Sequence, residues 1–330
     1  MRTMRVLLAL VILGLGGAIS GAAMAAEVDR GGYGDALLFP YFDVNNVDTL
    51  ISIESNILAF QVVRVRFRSA NTGAEVLAFT VCLAPAGSWT AGMTFNGATA
   101  RVTSSSSMLA DGEPGLDRLL AGNTTRGYME VIGLREGDMT QAVCSDPSQG
   151  GQTSNFSLLG RTYYVAAGTT PIVAFGTNAI AIRDFSTVKL LESATMFGNA
   201  AVAEALILNS NFSGTSFASR FFIAPDLQAE TLIVVTFPVG GSGCAFCTIP
   251  NQVLITPFAD DGTQLPPLSR PAGQVVNLFT LRAGDLASAE GSFVLEATTF
   301  DPLPAVALII LTTSRTGSIF FNILNQGQLF

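Results

Sequence analysis

The chain has 330 residues, of which 17 are basic, 25 are acidic and none is histidine, giving a net charge of −8. An acidic chain with dispersed arginines lacks the basic surface that phosphate backbones require, so nucleic acid and anionic membrane surfaces are not expected partners. The absence of histidine excludes Ser-His-Asp and Cys-His catalysis and histidine-ligated metal sites. The length suits two domains.

Residues 1–25 have the three parts of a secretory signal peptide. Arg2 and Arg5 form a charged start, residues 6–19 are apolar, and Ala23-Met24-Ala25 fits the small-x-small cleavage rule. This pattern predicts export to the periplasm, the cell surface or the medium, with a retained membrane anchor as the alternative. No later apolar run reaches the about 18 residues of a membrane-spanning helix, so the mature chain is expected to have none.

Residues 61–68 alternate between apolar and charged side chains, which is the period of a half-buried β-strand. One face is expected in a core, and the arginine face is expected in water. The two sets are Val63, Val65 and Phe67, and Arg64, Arg66 and Arg68. A turn at Asn71-Thr72-Gly73 and a β-rich run at residues 75–83 complete a predicted antiparallel hairpin. Residues 49–55 predict a strand before it.

The segment DTLISI at residues 48–53 has a counterpart in ETLIVV at residues 230–235. Short strands with regular turn signals are typical of sandwiches and related all-β folds. We therefore predict a mainly β fold with two tandem antiparallel β-sandwich domains, Ig-like or jelly-roll-like; chance likeness between strand–turn–strand segments is the alternative. The predicted ranges are 1–25 for the signal peptide, 26–150 for the N-terminal β-sandwich, 151–229 for a mixed connector and 230–330 for the C-terminal β-sandwich.

Four short segments are scattered over the mature chain. They are GDALLFPYFDV from residue 34, DTLISIESN from residue 48, GYMEVIGL from residue 127 and TLIVVTFP from residue 231. This set resembles the FPYY-like, TLISI-like, GYxEV-like and VVTFP-like segments of a group of exported proteobacterial proteins of unknown function. The resemblance implies secretion and a β-rich fold, and it supplies no activity and no site residues. The sequence departs from that group at residues 239–247.

Four cysteines in an exported chain favour two disulfides, for which three pairings are possible. The favoured pairs, one in each predicted domain, are Cys82–Cys144 and Cys244–Cys247. The second pair also forms a CxxC motif, which in redox enzymes opens a helix. Here a Gly-rich segment precedes the motif and Pro250 follows it. A structural loop is therefore favoured over redox chemistry, and a zinc site lacks further ligands.

The predicted turn DVNNVD at residues 43–48 offers oxygen ligands of the kind that calcium prefers. Its candidate ligands are Asp43, Asn45 and Asp48, and Asp260-Asp261 forms a second candidate. The first turn lacks the glycine and the distal glutamate of an EF-hand loop. An Asx-rich turn without metal is therefore favoured over a calcium site, and no other cofactor is predicted.

Motifs for nucleotide binding are missing, since the sequence has no Walker loop and no GxGxxG between a strand and a helix. Two carboxylates could still hydrolyse a glycosidic bond, but sequence alone does not pair any. The carboxylates considered are Asp35, Asp43, Asp48, Glu54, Glu130 and Glu296. The chain is therefore not expected to be an enzyme. Trp89, the only tryptophan, is expected in the core of the first sandwich.

The composition, 49% hydrophobic and 13% charged, favours either large β-cores or an apolar surface that serves as an interface. We predict a secreted or cell-surface structural or interaction protein without catalytic activity. Its predicted partners are further copies of itself or other surface proteins. Self-assembly through the apolar strand at residues 318–324 is one route, and a buried final strand is the alternative.

Two other functions stay open. The first is a ligand-binding module for a glycan or small molecule, with or without calcium, whose aromatic platform would come from Phe39, Tyr41, Phe42 or Tyr163-Tyr164. The second is an outer-membrane-associated β protein, which the terminal Phe330 favours. Gln326 and Gln328 count against it, because they stand where that terminal signal has apolar residues.

Overall fold

The computed structural model describes residues 27–30, 32–45, 47–105, 115–137, 144, 157–166, 174–183, 216–223, 229–237, 250–297, 306–313 and 322–323. The secondary-structure elements of these residues are β-strands and one 3-10 turn, Ala121–Asn123. All of the paired strands in these ranges run antiparallel. The predicted class, mainly β with sandwich-type packing of antiparallel sheets, is confirmed. No helix in the described ranges is long and apolar enough to cross a membrane.

The described residues up to 183 form two six-stranded sheets. In chain order their strands are β1 (Glu27–Arg30), β2 (Ala36–Asp43), β3 (Val47–Ser55), β4 (Gln61–Ser69), β5 (Glu75–Leu83), β6 (Ser88–Phe95), β7 (Ala100–Ser104), β8 (Leu116–Leu119), β9 (Arg126–Glu136), β10 (Leu158–Ala166), β11 (Ala174–Asn178) and β12 (Ile180–Arg183). Sheet A has the order β1-β12-β2-β9-β4-β5, and sheet B has the order β11-β10-β3-β6-β7-β8.

Strands β10, β11 and β12 lie in the range 151–229, for which a mixed connector was predicted. They instead complete the two N-terminal sheets, because β10 pairs with β3 and β12 pairs with β2. The N-terminal sheets therefore extend to Arg183, well past the predicted boundary at residue 150.

The described residues after 215 form two four-stranded sheets. Their strands are β13 (Ser216–Phe222), β14 (Ala229–Thr236), β15 (Gln252–Ala259), β16 (Leu268–Pro271), β17 (Val276–Leu281), β18 (Glu290–Ala297), β19 (Val306–Thr313) and β20 (Asn322–Ile323). Sheet C has the order β13-β18-β15-β16, and sheet D has the order β17-β14-β19-β20. The strand predicted to self-assemble, at residues 318–324, is described only as β20, which pairs with β19 of the same chain. Its other residues lie outside the described ranges.

Three hydrophobic cores place the sheets in the order B, A, D, C. Core 1 lies between sheets B and A and includes Ile53 and Trp89 of sheet B with Leu37 and Val65 of sheet A. Core 2 lies between sheets A and D and includes Leu38 and Tyr128 with Val234 and Val276. Core 3 lies between sheets D and C and includes Ile233 and Phe279 with Val253 and Phe293. Sheets A and D therefore carry a core on each face, as alternate residues of their strands point to opposite sides.

This stacking explains the burial of individual strands. Every residue of β2 is buried, because sheet A is covered on both faces. In β3 buried residues alternate with partly or fully exposed ones, because sheet B turns one face to solvent. Two polar contacts also join sheets A and D. The Thr236 hydroxyl donates to the Pro40 carbonyl at 2.6 Å, and the Val276 N–H donates to the Ala70 carbonyl at 2.9 Å.

The prediction that the arginines of β4 stand in water is wrong for Arg66 and Arg68, whereas Arg64 is partly exposed. Arg66 and Arg68 are only 6% and 3% exposed, because they lie on the face of sheet A that carries core 2. Arg68 Nε lies 2.7 Å from a carboxylate oxygen of Glu130, and Arg66 pairs with Glu75 at 2.6 Å. Burial alone would lower the pKa of Arg68, but Glu130 and other acidic neighbours outweigh it and raise that pKa.

Candidate functional site

The outer face of sheet B carries a groove that crosses several strands. Strand register aligns one residue from each of five neighbouring strands, β11, β10, β3, β6 and β7. In that order the row is Gly176, Tyr163, Leu50, Gly92 and Thr103. Two large side chains thus stand between two glycines, so the height of the surface changes sharply along the row.

The groove has a volume of about 700 Å³, within the about 300–1,000 Å³ of small-molecule sites. Leu50 and Tyr163 form its apolar part, although they are 43% and 37% exposed. Hydroxyl groups form much of the remainder, and they belong to Ser52, Thr90, Thr103, Ser104 and Ser105. We call this set, together with Gly92, the sheet B groove. An apolar surface combined with a small number of polar groups is typical of small-molecule sites.

Gly92 and Gly176 differ in the space that a side chain at each position would find. A Cβ atom on Gly92 would lie 3.6 Å from Leu50 Cδ2 and 3.8 Å from Thr103 Oγ1, which are ordinary van der Waals distances. Gly92 therefore relieves no clash and leaves open space in the groove. A Cβ atom on Gly176 would lie 2.8 Å from two ring carbons of Tyr163. Gly176 therefore lets the ring pack against the backbone of β11.

The described side chains that line the groove are all uncharged. Asp117 of β8, which lies opposite Thr103, is paired with Arg101 at 2.9 Å. On the other side of the groove, Arg161 lies opposite Ser52. Its guanidinium is 3.7 Å from the Glu54 carboxylate, and both side chains are partly exposed. Such an exposed pair contributes only about 0–1 kcal/mol and largely cancels its own field. The groove therefore presents hydrogen-bonding groups without net charge.

Only one of the five aromatic residues predicted as a ligand platform is available to a ligand. Phe39, Tyr41, Phe42 and Tyr164 are buried in the cores, whereas Tyr163 lines the groove. Tyr163 and Tyr164 are consecutive in β10 and therefore point to opposite faces of sheet B. The Tyr164 hydroxyl donates to the Tyr41 carbonyl at 2.7 Å, so it is part of the interior.

Of the candidate calcium ligands Asp43, Asn45 and Asp48, the first two make side-chain hydrogen bonds with neighbouring residues. Both carboxylate oxygens of Asp43 accept hydrogen bonds, from the Tyr41 hydroxyl at 2.9 Å and from the Asn45 N–H at 2.8 Å. The Asn45 side chain donates to the Thr125 hydroxyl, and Asp48 lies opposite Val165 in sheet B. Burial, and then the Asp43 carboxylate, raises the pKa of Tyr41 well above its ordinary value.

The second calcium candidate also has protein partners. Asp260 lies 3.0 Å from Arg220, and Asp261 accepts the Thr263 N–H at 2.8 Å. That backbone hydrogen bond lowers the pKa of Asp261. Across the described residues there is no group of three or more Asp, Glu, Cys or His that could hold a metal. Calcium binding at either turn stays an untested alternative.

The predicted Cys82–Cys144 disulfide is present, with 5.5 Å between the Cα atoms. Cys244 and Cys247 lie outside the described residues. The carboxylates considered for hydrolysis are spread over different sheets, with Glu130 in sheet A, Glu54 in sheet B and Glu296 in sheet C.

No sequence pattern predicted the groove. Strand β6, which forms part of it, had been singled out only for its tryptophan. Strand β6 has the sequence SWTAGMTF, and Trp89 within it is 1% exposed, which confirms its predicted place in the first core. The alternate positions point outward and carry only hydroxyls and a glycine. They are Ser88, Thr90, Gly92 and Thr94. A glycine between outward-facing threonines was the available signal, because strand interiors disfavour glycine.

Comparison with known proteins identifies no family. No protein-family model and no curated protein matches the chain. One solved structure, titled "Recombinant peptide: N-glycanase F (PNGase F)", aligns with 92% of this chain and 100% of its own at 10% sequence identity and a TM-score of 0.21. A score this low carries no argument about fold or function.

Proposed function

We propose that the chain is a non-catalytic binding protein that holds a small polar ligand in the sheet B groove. One observation carries the proposal: exposed Tyr163 and Leu50 stand beside several hydroxyls in an uncharged groove of about 700 Å³. An exposed aromatic ring next to oriented polar groups supplies both contact area and hydrogen bonds to a ligand. The proposal therefore favours the ligand-binding alternative of the sequence analysis.

The proposal places this binding protein outside the cytoplasm. The Cys82–Cys144 disulfide supports that location, because disulfides persist in oxidising compartments. The signal-peptide pattern of residues 1–25 points the same way. Self-assembly is less favoured, because the described part of residues 318–324 pairs with β19 of the same chain.

A thermal-shift screen tests the binding function on the signal-cleaved chain. The library contains neutral sugars, polyols, nucleosides and amino acids, since a ligand that binds the folded state raises the melting temperature. We expect at least one compound to stabilise the parent protein but not Tyr163→Ala. Leu119→Ala is the matched control, because Leu119 is 50% exposed on β8 of the same sheet but does not line the groove.

Two outcomes would overturn the proposal. One is a library in which no compound stabilises the parent protein. The other is a set of hits that stabilise Tyr163→Ala as much as the parent, because binding would then occur elsewhere.

A further inference from the structure

We infer that the ligand is a neutral saccharide and that Gly92 provides the space for one of its rings. This inference rests on the proposed function and names the class of ligand. A sugar ring has a face of C–H groups and an edge of hydroxyls that donate and accept hydrogen bonds. The sheet B groove offers the same two kinds of surface, an apolar part formed by Tyr163 and Leu50 and a set of serine and threonine hydroxyls.

The hydroxyls of the groove suit a ligand of this kind. A serine or threonine hydroxyl can donate one hydrogen bond and accept others, which matches the dual character of sugar hydroxyls. The Ser104 hydroxyl already donates to the Thr90 carbonyl, so it offers a ligand only its acceptor capacity. Ser52 and Thr90 are opposite each other in the register of β3 and β6, and Thr103 is opposite Gly92. Hydroxyls therefore border the open position at Gly92 from neighbouring strands.

The charges favour a neutral ligand over an acidic sugar or a phosphate. Anion sites use a cation or several aligned N–H groups, and the described lining contains no charged side chain. The two arginines beside the groove in the register are each matched by a carboxylate, Arg161 by Glu54 at 3.7 Å and Arg101 by Asp117 at 2.9 Å. A carboxylate on the ligand would be attracted by the arginine of such a pair and repelled by its acidic partner.

Gly92 supplies an independent observation. Glycine in a strand interior weakens the strand and is typically found where a backbone or a ligand approaches closely. At Gly160 a close approach is evident, since a Cβ atom would lie 2.9 Å from Ala179 Cβ. At Gly92 the nearest contacts would be 3.6 and 3.8 Å, so the protein itself leaves room for a side chain. A ligand that occupies this space would explain why position 92 has no side chain.

Gly92→Val tests this inference, with Gly92→Ala as the graded companion. Valine suits a strand and would project into the groove, so we expect a melting temperature at or above that of the parent. Affinity for neutral mono- and oligosaccharides, measured by titration calorimetry and saturation-transfer NMR, should fall at least tenfold in Gly92→Val and less in Gly92→Ala. Thr90→Val should also weaken binding, because it removes a partly solvated hydroxyl with little change in shape.

The outcomes separate the inference from the proposed function. Sugar binding that survives in a folded Gly92→Val protein would overturn the role of Gly92. If another class in the thermal-shift library binds through Tyr163 and sugars do not, the saccharide inference fails while the binding function stands. If no library class binds the parent, both fail. If Gly92→Val does not fold, unchanged sugar affinity in Gly92→Ala and Thr90→Val would overturn the inference.

Discussion

The buried ion pair between Arg68 and Glu130 makes a sharp prediction about single residues. Their side chains are 3% and 0% exposed, so removal of one charge leaves the other buried without its partner. We expect Glu130→Gln to lower the free energy of unfolding by about 3–5 kcal/mol in urea titrations. The exposed pair of Arg101 and Asp117 is the control, and Asp117→Asn should cost about 0–1 kcal/mol. Equal effects of the two substitutions would contradict the buried pairing.

Two buried tyrosines predict how stability changes at alkaline pH. Burial raises the pKa of Tyr164 above the ordinary value of 10.0, and burial with Asp43 raises that of Tyr41. The folded chain therefore keeps protons that the unfolded chain releases above about pH 10, so stability is full below that pH and falls above it. Each tyrosine contributes a decline of up to about 1.4 kcal/mol per pH unit.

Urea titrations between pH 8 and 11 check this alkaline decline. Tyr164→Phe should lower the baseline stability, since its hydroxyl bonds to the Tyr41 carbonyl, and should also reduce the slope above pH 10. Tyr163→Phe is the control for loss of an exposed hydroxyl from the same strand. An identical slope in Tyr164→Phe and the parent would show that Tyr164 is not the group responsible.

At the scale of single strands, replacement of glycine by alanine should have opposite effects on stability at Gly127 and at Gly92. A Cβ atom on Gly127 of β9 would collide with the backbone carbonyl of Arg68 and lie 2.9 Å from the Phe42 ring. Gly127→Ala should therefore destabilise the chain by at least about 1–3 kcal/mol. Gly92→Ala should be neutral or stabilise it by about 0.4–1 kcal/mol. Thermal unfolding of both variants checks the contrast, and a stable Gly127→Ala protein would contradict the close approach of β9 to β4.

Several strands were predicted correctly from short sequence patterns. Side chains of a strand alternate between its two faces, so a few neighbouring residues are enough to show the pattern. The predicted runs at 49–55, 61–68 and 75–83 correspond to β3 (Val47–Ser55), β4 (Gln61–Ser69) and β5 (Glu75–Leu83). Their alternation also assigned Val63, Val65 and Phe67 to a core correctly. Periodicity thus located strands and one buried face from neighbouring residues alone.

The same patterns could not show which layer covers the other face. Arg66 and Arg68 lie on the face of sheet A that carries core 2, and that core includes residues near 234 and 276, which are far away in sequence. Tyr163 and Tyr164 are chemically alike, and only the position of β10 beside β3 decides which one reaches the groove. The candidate site therefore depends on strand register, which a single sequence does not fix where both faces carry apolar residues.

At the scale of the whole molecule, the four layers account for the apolar composition. Three cores need more apolar residues than the single core of a two-layer sandwich, and sheets A and D are covered on both faces. A chain that is 49% hydrophobic and 13% charged can bury most of that surface internally. Among the described residues, the exposed large hydrophobic side chains are few, and apart from the neighbours Leu50 and Tyr163 in the sheet B groove they lie far from one another in the strand order or in a loop. They are Leu50, Leu58, Leu119, Tyr163 and Phe222.

Because core 2 joins sheet A to sheet D, we predict that the described residues up to 183 and those after 215 unfold together. Trp89 lies in core 1 and, as the only tryptophan, reports on the first half alone, whereas far-UV circular dichroism reports on all sheets. Because sheets A and D share a buried core and the Thr236–Pro40 hydrogen bond, the two urea transitions should coincide. Two independent tandem domains would instead give two transitions.

A substitution in the second half makes this coupling measurable. Val234 is fully buried in core 2, so Val234→Ala should lower stability by roughly 2 kcal/mol. If the halves form one cooperative unit, the Trp89 fluorescence transition shifts by the same amount as the circular dichroism transition, although Trp89 is in another core. Val253→Ala in core 3 should act in the same way, since cooperative unfolding carries its effect through sheet D. A Trp89 transition that neither substitution moves would mean that the first two sheets fold without the others.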